Sequence, residues 1–215
     1  TRDQHTGGHP AQDPLAGDDA ALRLPAGSHV GSYLHQILEQ LDFQGDIPSQ
    51  VLAHSPQVAP RFGLDHGRWG KDAATLLDWA VHTPLDASGL CLASLTPDRR
   101  LNELEFDFAT GRVDMAGLDQ LLGQMAGRPL PPLEADSFRG MVNGIIDLVF
   151  EHQGRYYIAD YKSNRLGGTL DAYQPEALRA AMYQYRYDLQ CLLYALALHR
   201  YLRQRIPDYR YQTHF

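Results

Sequence analysis

Two carboxylates and one amine stand close together in the second half of the chain: Asp147, Asp160 and Lys162. Between the aspartates, β-branched and aromatic residues surround the pair Gln153-Gly154, a pattern typical of two strands joined by a tight turn. Counting outward from a two-residue turn places Asp147 opposite Asp160, with their Cβ atoms roughly 4.5–5.5 Å apart. Lys162 lies two residues further along and projects from the same face. This group could hold a divalent metal ion, with a positive charge at its edge.

The residues around these carboxylates are apolar on both faces of the predicted hairpin, as in a central strand that is covered on both sides. Expected on the face of Asp147 are Ile145, Val149 and Ile158, and expected on the other face are Ile146, Leu148, Phe150, Tyr157 and Ala159. Facing carboxylates in such surroundings repel and lose hydration unless a cation lies between them. The alternative is an Asp–Lys ion pair at a sheet end, and a register slip of one residue would separate the aspartates.

The composition limits the class of protein. A chain of 215 residues can form one domain, or slightly more, with a real core. Its net charge of −7 argues against a free, non-specific nucleic-acid binder but leaves room for a local basic groove. Cys91 and Cys191 are too few for a disulfide framework or an iron–sulfur cluster, so a reduced, cytoplasmic setting is expected. The sequence has no recognisable signal peptide or membrane-spanning run, and its start at Thr1 suggests a fragment of a longer protein.

Outside the hairpin, the elements follow from periodicity and from proline. Residues 1–27 lack periodicity and are expected to form a linker or N-terminal arm, followed by a domain over 28–215. Residues 46–61 are broken by three prolines and predict a loop with a short helix. Helical patterns occupy residues 29–42, 69–81, 115–125, a stretch from about Pro175, and 188–205.

The helix at 29–42 carries a histidine beside its buried stripe. Ser28 can cap this helix, and its apolar stripe comprises Val30, Leu34, Ile37, Leu38 and Leu41. His35 lies next to the stripe, and Gly31, one turn earlier, leaves room against it. A lone helical histidine is more often a half-buried structural residue, here with Glu39 as its partner, than a metal ligand.

Two further elements carry polar side chains that can face the hairpin. Residues 101–108 alternate apolar and acidic residues, which predicts a strand with an acidic face that includes Glu105. This face is either solvated or aims one carboxylate at Asp147 and Asp160. On the last helix, Gln190 and Tyr194 share one stripe, consistent with either a hydrogen bond at the core edge or a role toward substrate.

Three segments in order resemble a known family. They are 144–147 ending in Asp147, 160–164 beginning Asp160-Tyr161-Lys162, and 187–201 with Gln190 and Tyr194. This order resembles the C-terminal nuclease domain of the RecB subunit of exonuclease V (RecBCD), within the PD-(D/E)xK nuclease superfamily. The likeness is strong over residues 140–215, fair over 31–43 and weak over 44–101. The family fold is an α/β, restriction-endonuclease-like core: a mixed central β-sheet flanked by helices.

The resemblance also implies roles for individual residues. Asp147 and Asp160 would bind the metal together with His35, and Lys162 would be the catalytic lysine. Glu105 would lie near the site, and Gln190 and Tyr194 would belong to a helix motif beside it. Single strands of DNA would be held by backbone charge and by stacking on Tyr161 or Tyr194.

The implied activity is Mg²⁺-dependent hydrolysis of DNA. Mn²⁺ is expected to support the reaction, and Ca²⁺ to occupy the site unproductively. The expected partners are DNA, as single strands and duplex ends, the helicase domain and other subunits of a RecBCD-type complex, and a RecA-type recombinase. Neither ATP-driven unwinding nor the further core strand and helix of the family domain is expected within these residues.

The sequence leaves other functions open. A degenerate nuclease fold could serve as a DNA-binding or recombinase-docking scaffold, although Asp147, Asp160 and Lys162 are all present. A stand-alone RecB-like nuclease of the CRISPR-associated type usually carries a cysteine-ligated iron–sulfur cluster, which two cysteines cannot supply.

Overall fold

A computed structural model describes residues 20–134 and 136–215 of the chain, which form an α/β fold. Residues 1–19 of the predicted arm 1–27 lie outside the described residues. The helices are α1 Ala20–Arg23, α2 Ser28–Leu38, α3 Ile47–Val58, α4 His66–His82, α5 Met115–Ala126, α6 Pro175–Gln184, α7 Tyr187–Arg205 and α8 Tyr211–His214. The strands are β1 Arg100–Asp114, β2 Ser137–His152 and β3 Arg155–Ala159.

Two local expectations about the helices were wrong. Ser28 is the first residue of α2 rather than its cap, and Gly27, at φ 140°, stands at the N-cap. Residues 46–61 are mostly helical rather than a loop with a short helix, since α3 spans 12 of them and a 3₁₀ helix follows at Ala59–Phe62. Pro48 lies in the first turn of α3, where no backbone N–H is needed, and Asp46 caps the helix by accepting a hydrogen bond of 2.8 Å from the Ser49 N–H.

The sheet has the order β1-β2-β3, so β2 is the central strand. Both described pairings are antiparallel, whereas the resemblance led us to expect a mixed sheet. The broader expectation of an α/β core with helices on the sheet is confirmed. All three strands of the sheet in residues 20–134 and 136–215 are paired antiparallel.

The hairpin between β2 and β3 has the predicted two-residue loop. Gln153 and Gly154 both have positive φ, 52° and 80°, the combination that suits the twist of a tight hairpin. Its pairs run from His152 opposite Arg155 to Leu148 opposite Ala159. The last of these pairs directly precedes Asp147 and Asp160, so the observed register agrees with the one predicted from the sequence.

The ladder between β1 and β2 is interrupted beside Asp147. Asn102 pairs with Leu148 and Leu104 pairs with Ile146, but Glu103, at φ 53°, and Asp147 form no pair. The alternation of faces changes at this point. Leu148 packs with the helices on one side of the sheet, whereas Ile146 packs with Val149 on the other. The expectation that Ile146 shares a face with Leu148 was therefore wrong.

Two hydrophobic cores cover the two faces of β2. The first core joins α2, α3 and α4 to Leu148 and Phe150, and the second joins α7 to Ile146 and Val149. Ile146 and Leu148 are fully buried, which confirms that the central strand is covered on both sides.

The last residues of the predicted arm belong to the fold. Leu22 and Leu24 are buried, and α1 contacts α4, so residues 20–24 differ from the expected linker. The boundary between residues 27 and 28 stays a prediction. No helix within 20–134 or 136–215 has the length and apolar character to cross a membrane.

A glycine on β2 tests the packing of the second core. A Cβ at Gly144 would lie 2.7 Å from Cζ of Phe106, whose ring is held between Phe108 and Tyr194. Because this ring has little room to move, we expect Gly144→Ala to lower the free energy of unfolding by about 1–3 kcal/mol, as overpacking does. The midpoint of urea unfolding measures the loss.

Gly140→Ala, on the same strand, is the matched control. A Cβ at Gly140 would meet its nearest neighbour, Phe138, at an ordinary 3.5 Å. Equal midpoints for the two variants would show that Phe106 moves freely and would contradict the packing described here.

Candidate active site

Asp147 lies on β2 at the position where the β1–β2 ladder is interrupted. The direction of its side chain therefore does not follow the regular up-and-down alternation of the strand. Its Oδ2 accepts a hydrogen bond of 2.8 Å from the backbone N–H of Tyr161, just beyond the end of β3. Its Oδ1 lies 3.6 Å from Nδ1 of His35 on α2, an ion-pair distance. The Asp147 side chain is 19% exposed, so these two groups replace much of its hydration.

Asp160 is held from the hairpin and from α7. The ammonium of Lys162 contacts its Oδ2, and the amide Nε2 of Gln190 donates to its Oδ1 at 3.3 Å. The same Nε2 also donates to the Tyr194 hydroxyl at 2.8 Å. The Asp160 side chain is 18% exposed, so it is as buried as that of Asp147.

The structure thus brings most of the sequence-predicted residues to one place. Those within contact of the two aspartates, directly or through one neighbour, are His35, Asp147, Asp160, Tyr161, Lys162, Gln190 and Tyr194. Three separate elements contribute: α2, the β2–β3 hairpin and α7.

Gly31 on α2 makes room for the loop that follows Lys162. A Cβ at Gly31 would lie 2.4 Å from Oγ of Ser163. The sequence suggested that this glycine leaves room on the apolar stripe of the helix. The close approach is instead to Ser163, the residue after the lysine, so α2 supports both His35 and the Lys162 segment.

The two aromatic residues expected to stack on DNA bases are both packed against the protein. The Tyr161 ring packs against the first core, and its centre lies 5.7 Å from the centre of the His35 ring in a T-shaped contact. Burial raises the pKa of the Tyr161 hydroxyl. The Tyr194 ring contacts Phe106 at 5.8 Å. Base stacking on these rings stays a prediction, and their contacts do not favour it.

A small cavity of about 10 Å³, room for roughly one water molecule, adjoins Asp147. Besides His35 and Asp147, it is lined by Leu38, Glu39, Asn102, Glu103 and Tyr161. The carboxylate expected here, Glu105, is exposed, pairs with Ile145 and does not line the cavity. Glu103 takes this position because its positive φ interrupts the ladder. The alternation of acidic residues along β1 indicated that one carboxylate of this strand could lie near Asp147. Only the tertiary structure shows that this residue is Glu103.

Glu39 pairs with another carboxyl group rather than with His35 alone. Burial and a hydrogen bond with Glu103 together raise the pKa of Glu39 to about 7. The side-chain amide of Asn102, the residue before Glu103, donates a hydrogen bond of 2.9 Å to the Glu39 carbonyl. Its side-chain oxygen is buried without a partner among the described residues.

The charges of the two aspartates are balanced differently. Burial would raise the pKa of Asp147, but His35 and the Tyr161 N–H outweigh it, and the pKa is lowered. For Asp160 burial prevails over the nearby Lys162, and the pKa is raised. The Asp147 carboxylate raises the pKa of His35 in turn.

Asp147, Asp160 and His35 are side chains of the kinds that bind divalent cations. Two carboxylates with an imidazole can bind Mg²⁺ or Mn²⁺, and the nitrogen favours Mn²⁺ more than Mg²⁺. Within residues 20–134 and 136–215, no three His, Cys, Asp or Glu side chains are already gathered at metal-ligand spacing. His35 instead lies against Asp147 and the Lys162 ammonium against Asp160, so an ion that takes Oδ2 of Asp160 displaces Lys162.

Comparison with known proteins agrees with this geometry. Residues 15–210 match the profile of the PD-(D/E)XK nuclease superfamily. The chain is 39% identical over 196 residues to RecBCD enzyme subunit RecB of Escherichia coli K12, and 37% identical over 199 residues to that of Haemophilus influenzae. It is 33% identical over 219 residues to RecB of Mycobacterium tuberculosis. These alignments cover 89–90% of this chain but 16–20% of the relatives' length.

The Glu39–Glu103 pair predicts a dependence of stability on pH. A carboxyl group whose pKa is raised on folding stabilises the fold below its ordinary pKa, and that stability is lost as pH rises through the folded value. For Glu39 this loss occurs between pH 4.5 and about 7. We expect Glu103→Gln to be stabilised relative to the wild type more at pH 8 than at pH 4, measured by urea unfolding at both values.

Glu105→Gln is the matched control, because Glu105 is exposed on the same strand, as Glu103 is, but lies outside the cavity. An identical pH response of the two variants would contradict the close pairing of Glu39 with Glu103.

Proposed function

This chain belongs to the PD-(D/E)XK nuclease superfamily, and we propose that it hydrolyses phosphodiester bonds of DNA in a Mg²⁺-dependent reaction. The observation that carries the proposal is the clustering of Asp147, Asp160 and Lys162 at the end of one hairpin. Two half-buried carboxylates and an amine on one side of a sheet suit a metal ion and a phosphate better than they suit a structural ion pair.

Asp147, Asp160 and His35 would hold the ion. When bound, it supplies Lewis acidity toward the scissile phosphate and lowers the pKa of a coordinated water. Mn²⁺ is expected to replace Mg²⁺, and Ca²⁺ to bind without supporting the reaction.

The chain's own side chains position and neutralise charge. The Tyr161 N–H fixes one carboxylate oxygen of Asp147, and Gln190 fixes one of Asp160. Lys162, displaced from Asp160, stabilises the attacking hydroxide or the charge that develops on the phosphate. Tyr194 orients Gln190 through its hydroxyl, and Glu103 takes the nearby position that we expected for Glu105.

The larger assembly is also part of the proposal. The relatives named as RecB subunits of the RecBCD enzyme are five to six times longer than their matched region, which is 16–20% of each. We propose that this nuclease domain, placed at residues 28–215, acts in the cytoplasm beside a helicase domain and partner subunits of a RecBCD-type complex. Its substrates would be single strands and duplex ends in double-strand break repair, with a RecA-type recombinase as a further partner.

Cleavage of linear single-stranded DNA with Mg²⁺ tests the activity. Removing a charge-stabilising group from an active site costs about 10²–10³ in rate, and we expect such a loss for Lys162→Ala. The chain's other lysine, Lys71, is exposed on α4, so Lys71→Ala is the matched control and should cut like the wild type. Equal background cleavage by all three proteins would favour a degenerate fold that acts as a scaffold.

Calorimetric titration with Mn²⁺ tests the role of Gln190. Because Gln190 orients Asp160, we expect Gln190→Leu to weaken metal binding by about 10–100-fold, as loss of an outer hydrogen bond does. Gln204→Leu changes an exposed residue of the same helix and should bind Mn²⁺ like the wild type. Unchanged affinity in Gln190→Leu would remove Asp160 or its amide partner from the metal site.

A further inference from the structure

The junction between α6 and α7 holds two tyrosines in a stacked pair. The rings of Tyr185 and Tyr187 lie 5.6 Å apart at 26°. Residues two apart on a helix do not face each other. Here the residue between them, Arg186, has φ 56° and ψ 34°, a left-handed conformation that turns the chain and brings the rings together.

Three contacts hold Arg186 in this unfavourable conformation. Its guanidinium pairs with Asp188 at 3.2 Å and with Asp119 of α5 at 2.8 Å, and it donates to the Pro131 carbonyl. The Arg186 side chain is largely buried as a result. Strained residues fixed by several independent contacts are concentrated at functional sites. Contacts from α5 and from Pro131, in the segment between β1 and β2, therefore fix the geometry of the tyrosine pair.

The pair is continuous with the candidate active site. Nζ of Lys162 lies 4.5 Å from the centre of the Tyr187 ring, and the Tyr187 hydroxyl donates 2.9 Å to the Asn164 side chain. Tyr187 is therefore the inner ring, against the lysine proposed to act on the phosphate. Tyr185 is the outer ring and is 50% exposed.

We propose that Tyr185 is a stacking platform for a base of single-stranded DNA whose phosphate lies at Lys162. The inference rests on the proposed function, because it needs a phosphodiester at that lysine. Stacking is tolerant of sequence and does not depend on a positive surface, which suits a chain with a net charge of −7. The ring stacked behind Tyr185 keeps it flat and fixed, so little side-chain freedom is lost on binding.

Fluorescence anisotropy with short labelled oligonucleotides in EDTA, where cleavage cannot proceed, tests the platform. One probe is an oligodeoxyadenylate, and the other is an abasic oligomer of equal length and charge. We expect Tyr185→Ala to weaken binding of the first by about 5- to 150-fold, the range for one stacked base, and to leave the second unchanged. Tyr185→Phe keeps the ring and should bind like the wild type.

Tyr211→Ala is the matched control, since Tyr211 is a similarly exposed, stacked aromatic residue on α8, which packs on β3 rather than on the α6–α7 junction. It should bind both probes like the wild type. Thermal melting followed by circular dichroism establishes that each variant is folded. Photocrosslinking of an oligomer that contains 5-bromodeoxyuridine should label Tyr185 in the wild type.

Specific results would overturn the platform. Equal weakening of both probes would assign the effect to charge or to distortion, and unchanged binding of both would remove Tyr185 from the DNA site. Loss of recombinase binding in Tyr185→Ala, with both oligomers bound normally, would make it a protein-docking residue. The proposed function fails separately, if the wild-type chain with Mg²⁺ binds bases through Tyr185 but does not cut.

Discussion

The structure depends on the cost of holding Asp147 and Asp160 near each other with little water. Two negative charges in a partly buried site repel strongly, because the surroundings screen them less than water does. Two nitrogen-bearing side chains offset this cost: His35, whose pKa is raised by Asp147, lies beside that carboxylate, and the Lys162 ammonium lies beside Asp160. Hydrogen bonds from the Tyr161 N–H and from Gln190 occupy further lone pairs. Because the Lys162 ammonium already occupies Oδ2 of Asp160, a metal ion has to compete with it for that carboxylate.

This constraint explains why three elements converge on one hairpin end. The hairpin supplies both aspartates and the lysine, but α2 has to bring the histidine and α7 the glutamine. The approach of α2 brings Gly31 against the Ser163 side chain. On the other face of the sheet, Phe106 crosses Gly144 and contacts Tyr194, which in turn bonds to Gln190. The packing of the second core therefore reaches Asp160 through a chain of three contacts.

The interruption of the ladder at Glu103 and Asp147 has a second consequence. It places Glu103 beside the cavity next to Asp147, which Glu39 at the end of α2 also lines, and burial together with the nearby Glu103 raises the pKa of Glu39. Negative charge is thus concentrated on the α2 side of the sheet. On the α7 side, the contact between Lys162 and Tyr187 links the same site to the strained turn at Arg186. Arg186 in that turn forms an ion pair with Asp119 of α5. The segment between β1 and β2 is therefore connected to the candidate active site.

The sequence by itself determined the hairpin, its two-residue turn and the opposition of Asp147 and Asp160. These follow from local rules: a Gly-containing pair fixes the turn, and a period of two fixes the register. Most helices also followed from their periodicity. The ordered motif Asp147, Asp160-Tyr161-Lys162 and Gln190 indicated the superfamily that the comparisons established.

Only the tertiary structure decided which neighbours serve these residues. Glu103 rather than Glu105 lines the cavity and Ile146 joins the opposite core, because the ladder between β1 and β2 is interrupted at Glu103 and Asp147. The approach of Gly31 to Ser163 depends on how α2 packs on the hairpin. The stacking of Tyr185 on Tyr187 depends on a left-handed Arg186 held by residues about 55 and 67 positions away in sequence. No local pattern encodes such a conformation, since its energy is supplied by distant ion pairs that exist only after the chain has folded.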